Sequence, residues 1–113
     1  MRVTFSTEER LAIFQLFEQT PWGGDEPTLL VRDDAYEALN LGEFEKLDPK
    51  EKTPAWATSQ TAKALELRRD IADYLCRALV VPGQSRHLGR ITARVVRRLR
   101  AALPAPAASK EKA

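Results

Sequence analysis

The chain is poor in the residues that carry most metal and nucleophile chemistry. Its 113 residues include one cysteine, Cys76, and one histidine, His87. A lone cysteine forms no internal disulfide, and a structural zinc site wants four ligands of the Cys/His type, so neither feature is expected. Nucleophilic catalysis by Ser/His or Cys/His needs a third orienting group and an oxyanion site, and nothing around His87 has those signatures. His87 reads instead as a turn or cap residue. Glycine is scarce, and Gly23-Gly24 lacks the Gly-Lys-Ser/Thr that completes a phosphate loop. The acidic pairs Asp25/Glu26 and Asp33/Asp34 do not have the spacing of a calcium loop. No uncharged run approaches the ~20 residues of a membrane span. Glu8, Glu9 and Arg10 interrupt the N-terminal apolar run, so no secretory leader is expected. Together these absences predict no enzyme, no cofactor, no metal and no membrane partner. A buried, reduced Cys76 on the apolar side of a helix fits a cytoplasmic protein.

What is present is globular in composition. Apolar residues make up 43% and charged residues 30%, unlike a disordered chain. The length suits one domain, here residues 1–103, with a core that needs no staple. Residues 104–113 carry two prolines and no apolar period, and read as a flexible tail. The net charge of +2 conceals an asymmetry. Residues 1–60 hold 6 Lys/Arg against 12 Asp/Glu, and residues 61–113 hold 12 against 4. Either the acidic half folds against the basic half, or one of them faces a partner.

The most legible stretch is 65–103, two amphipathic helices broken at Val81-Pro82-Gly83. In 67–80, Leu67, Ile71, Tyr74, Leu75, Ala78 and Leu79 share a face. In 85–103, Leu88, Ile91, Val95, Leu99 and Leu103 do. Upstream, Ser6-Thr7-Glu8-Glu9 fits a capping box opening a helix to about Gln19, with Leu11, Phe14 and Phe17 among its core residues. Alternating Val3 and Phe5 before it suit a short strand or an extended lead-in. A further helix is expected over 29–39, capped by Thr28 and ended at Asn40-Leu41-Gly42. One more turn over 43–47 buries Phe44 and Leu47. The stretch 48–64 is ambiguous: propensity extends the next helix back to about Thr61, whereas alternation allows a strand paired with the Trp56 segment. The helical choice is preferred. The expected fold is mainly α, a compact bundle of about four helices, with a short strand pair near the N-terminus or Trp56 as the open option.

Two features point to binding. Arg86, Arg90, Arg94, Arg97, Arg98 and Arg100 crowd one helix, and the first five follow a helical stripe. Arginine grips phosphate or carboxylate with a planar fork. The stripe is expected to pair with acids of the N-terminal half, to track a nucleic-acid backbone, or to meet an acidic protein. The joint 82–85 also has the look of a helix-turn-helix, with Gln84, Ser85, Arg86 and Arg90 at its reading end. No aromatic interleaves with the arginines as stacking on single strands would want. The second feature is Trp22 in the loop 20–27, either a lid on the core edge or an anchor for a protein partner.

The order of features resembles that of small, mostly helical proteins of tailed bacteriophages and prophages. The shared pattern is a capped start, here Ser6-Thr7-Glu8-Glu9-Arg10-Leu11; a Thr-Leu helix, here Thr28-Leu29-Leu30-Val31-Arg32; a Leu-x-x-x-Glu segment at 41–45; a Trp before a long helix, here Trp56; and a basic turn with a histidine, here His87. In such proteins the region around Trp56 often looks like a hairpin, from which the alanine-rich stretch here departs. The resemblance implies a viral or prophage origin and brings no catalytic residues. The expected function is that of a non-enzymatic accessory protein binding a host or viral protein. The alternatives are nucleic-acid binding through the arginine helix and self-assembly as a small virion or scaffold component.

Overall fold

A computed structural model describes residues 1–20, 25–47 and 54–103. Trp22 and the expected tail at 104–113 lie outside the described residues. Strand β1 (Arg2–Ser6) leads directly into helix α1 (Thr7–Gln19). Helix α2 (Glu26–Ala38) follows, then 3-10 turns over Leu41–Lys46 and Ala55–Thr58. Strand β2 (Ala62–Glu66) and helices α3 (Arg69–Ala78) and α4 (Arg86–Ala102) complete the order. The protein is mostly helical, with one two-stranded antiparallel sheet.

Ser6 closes β1 and caps α1 in the expected box. Its hydroxyl accepts from the Glu9 amide at 3.1 Å, and its own amide donates to Glu9 Oε1 at 2.9 Å. α2 begins earlier than expected. Asp25, not Thr28, is its cap: the Thr28 amide and hydroxyl both donate to the Asp25 carboxylate. That bond holds the Asp25 carboxyl below its usual range. Asn40 ends the segment in the left-handed region at φ 55°.

The helix expected from about Thr61 is a strand. β2 pairs with β1 from Arg2↔Glu66 to Ser6↔Ala62, not with the Trp56 segment. Its alanines are exposed, so little burial favours a helix there, and the ladder to β1 decides. The N-terminal amine locks the register, donating to Glu66 Oε2 at 2.9 Å and to the Leu67 carbonyl at 2.8 Å.

α1 is the hub. α4 packs on it from one side and both 3-10 turns from another, while α2 packs on α3 and α3 on α4. Phe5, Phe17, Phe44, Ile13, Leu75 and Leu99 are among the fully buried side chains. Phe44 stacks nearly parallel with Trp56, centroids 5.8 Å apart at 7°, although Trp56 remains half-exposed. Cys76 is buried, and burial pushes its thiol pKa up.

Neither α1 nor α2 has a basic residue in its last turn. An arginine from the other helix supplies one. Arg32 of α2 lies over the Phe17 ring and donates to the Phe17 carbonyl at 2.7 Å and to the Thr20 carbonyl and hydroxyl. Arg10 of α1 lies over Phe44 and donates to the Leu39 and Asn40 carbonyls and to Glu43. Both arginines are buried, at 6% and 7% exposure. Each answers the unpaired carbonyls and negative dipole end of its neighbour.

Candidate binding surface

α4 is positioned by its joint with α3. Gly83, at φ +85°, makes the turn in a conformation that a side chain would strain. Ser85 caps the helix, accepting from the Leu88 amide at 3.2 Å. Gln84 ties the joint together: its amide nitrogen donates to the Leu79 carbonyl at 2.7 Å, and its oxygen accepts from the Thr92 hydroxyl at 2.9 Å. Gln84 and Ser85 are therefore held within the turn rather than offered to a base edge. His87 is exposed in the first turn of α4. Ile91, Thr92, Val95 and Leu99 face the core.

The six arginines do not form one surface. Four-residue steps on an α-helix advance about 40° beyond a full turn, so the run from Arg86 to Arg98 rotates by roughly a third of a circle. Its end faces the protein and its start faces solvent. Arg98 donates to both oxygens of Glu9, at 2.6 and 2.9 Å, and to the Thr4 carbonyl at 2.6 Å. Arg94 Nε donates to Glu9 Oε2 at 2.7 Å and lies near Glu8. Glu9 is 3% exposed, and burial opposes its charge. The Arg98 guanidinium, the Ser6 amide and Arg94 outweigh that and hold its carboxyl below its usual value. One buried carboxylate thus joins the start of α1 to the middle of α4.

Arg86, Arg90, Arg97 and Arg100 are exposed, and no ion pair engages them among the described residues. Beside Arg97 lies a shallow apolar groove of about 520 Å³, between the α3–α4 joint and α4. Val80, Val81, Ala93 and Val96 line it, with Arg97 at the edge. Val80 is 71% exposed, the most of any large apolar side chain among the described residues. Sequence reasoning missed this groove. Val80 lies off the apolar face read over 67–80, and pattern alone gives no sign that an exposed valine borders Val96 of the next helix.

A second cleft, about 620 Å³, opens where the end of α1 and the start of α2 meet α3. Its charges are engaged structurally: Arg32 holds carbonyls, Asp73 pairs with Arg77 at 3.2 Å, and Asp70 pairs with Arg68 at 3.0 Å. Arg68 also meets Asp34 of α2 at 2.7 Å. Among the described residues, no group of three or more His, Cys, Asp or Glu could hold a metal ion, and no helix is long and apolar enough to cross a membrane. No family model matches the chain, and no curated protein or solved structure does.

Proposed function

We propose that the chain is a non-enzymatic, phage-type accessory protein that binds an acidic protein surface through the solvent face of α4. One observation carries this reading. Arg86, Arg90, Arg97 and Arg100 stand without acidic partners among the described residues, with Arg97 at the edge of an apolar groove, whereas Arg94 and Arg98 of the same helix are engaged by Glu9. Guanidinium groups beside apolar surface suit a protein partner, where the groove supplies burial and the arginines supply carboxylate-specific bonds. Nucleic acid is the second reading, and the same four arginines favour it. Against it, Gln84 and Ser85 are occupied within the turn, and an apolar groove has no use against phosphate.

The test is fluorescence anisotropy with two labelled probes, poly-glutamate and a short DNA duplex, across a salt series. Poly-glutamate should bind the native chain, and R90E/R97E should lose that binding while keeping its thermal transition. Tighter binding of the duplex, with a log–log salt slope of about −3.6 for four neutralised phosphates, would favour nucleic acid instead.

A further inference from the structure

The outer face of α2 is the chemical complement of the outer face of α4. Glu26, Leu30, Asp33 and Glu37 follow i, i+4, i+7 and i+11, so they form one stripe opposite the core side of α2. All four are exposed, Leu30 at 54%. None of the three acids has an ion-pair partner among the described residues, whereas the neighbouring Asp34 is held by Arg68. On α4, Arg86, Arg90, Ala93 and Arg97 have the same spacing, with Ala93 half-buried and the arginines exposed.

The spacing is palindromic and fits in either direction, so the apolar position decides. Set antiparallel, Glu37 faces Arg86, Asp33 faces Arg90, Leu30 faces Ala93 and Glu26 faces Arg97, whereas the parallel match would set Leu30 on Arg90 and Asp33 on Ala93. The same orientation turns Leu29, 38% exposed on the flank of the α2 stripe, toward the side where the groove of Val80 and Val96 lies. Antiparallel helices also oppose their dipoles favourably. Residues 104–113, another conceivable occupant, carry two lysines and one glutamate, the wrong balance of sign for a basic groove.

We infer that the acidic partner of α4 is α2 of a second copy of this chain. The inference rests on the proposed reading of α4 as the binding face and adds the identity of what it binds. Each copy gives one face and takes the other. The rotation between copies decides whether such contacts close as a two-fold pair or a larger ring, or propagate as a filament. A single helix pair covers less than a standard interface, so association belongs at roughly micromolar strength or weaker.

Sedimentation velocity on the full chain tests this, over roughly 10 µM to 1 mM at low salt, the range a small interface requires. Mass should rise with concentration and fall back as salt screens the contact. R90E/R97E and D33K/E37K should each remain monomeric alone. Mixed in equal amounts, they should form a 1:1 pair that grows no further, because the intact α2 of the first fits the intact α4 of the second. A native chain that stays monomeric throughout, or variants that assemble alone as the native chain does, overturns the inference. If the native chain stays monomeric yet binds poly-glutamate, and R90E/R97E does not, self-docking falls and the reading of α4 stands. A thermal transition like that of the native chain shows D33K/E37K to be folded, so its failure to assemble reports the lost acidic face.

Discussion

Arg32 of α2 and Arg97 of α4 each sit on a helix of the same core, and the molecule uses them in opposite ways. Arg32 points inward, lies on Phe17 and bonds the carbonyls that end α1. Arg97 points outward, beside an apolar groove and with no ion-pair partner among the described residues. The same contrast divides Arg10 and Arg98 from Arg86 and Arg90. The difference lies in what each guanidinium meets before any partner arrives. Inward arginines close helix ends or neutralise Glu9, so they belong to the fold. Outward arginines leave their hydrogen-bonding capacity for something else.

The sharpest way to break this comparison is at Glu9. E9A leaves Arg94, Arg98 and the Ser6 amide without their acceptor, and should destabilise the protein by about 3 kcal/mol in urea unfolding. A loss under about 1 kcal/mol would mean that the two arginines turn to solvent without penalty. Next in size are R32M and R10M, each of which leaves buried carbonyls unpaired at a helix end. About 2 kcal/mol is expected for either, again from the shift in urea midpoint. Acid gives a third measure. Glu9 has its carboxyl pKa lowered by folding, so it stabilises the native state above the ordinary value of 4.5 and loses that contribution as pH falls through its folded value. The melting temperature should therefore fall on acidification below pH 4.5, and E9Q should flatten that dependence. The smallest effect sharpens the comparison from the other side. R86E/R90E/R97E should change stability by no more than about 0.5 kcal/mol, since those side chains are exposed and make no ion pair among the described residues.

Much of the architecture was legible, for reasons that also explain the failures. The capping box at Ser6 and Glu9 and the apolar stripes of α3 and α4 are local or periodic signals, and the structure agrees with them. Strand β2 was misread because Ala62, Lys63 and Ala64 favour helix locally, while the ladder with β1 is made to a segment some sixty residues away. The helix expected from 29 with Thr28 as its cap starts at Glu26 with Asp25 as its cap, because proline is tolerated in the first helical turn, where its missing amide costs no hydrogen bond. The arginines were recognised as a group, but their spacing was read as one surface. The drift of four-residue steps around the helix separates Arg98 from Arg86. The buried roles of Arg10 and Arg32 left one trace: α1 and α2 both lack a basic residue in the last turn. A missing C-terminal charge on two successive helices could have raised the question of what replaces it.

The exchange of arginines between α1 and α2 has a consequence for the order in which the molecule comes apart. Each helix carries the group that closes the other's end, so neither last turn is complete until both helices have docked. A helix that frays alone usually opens from its terminus inward. Here, opening the end of α1 withdraws the acceptors of Arg32, and opening the end of α2 withdraws those of Arg10. The two termini should behave as one unit. Amide protons in the last turns of α1 and α2 should exchange with deuterium at a shared rate, and R32M should accelerate both.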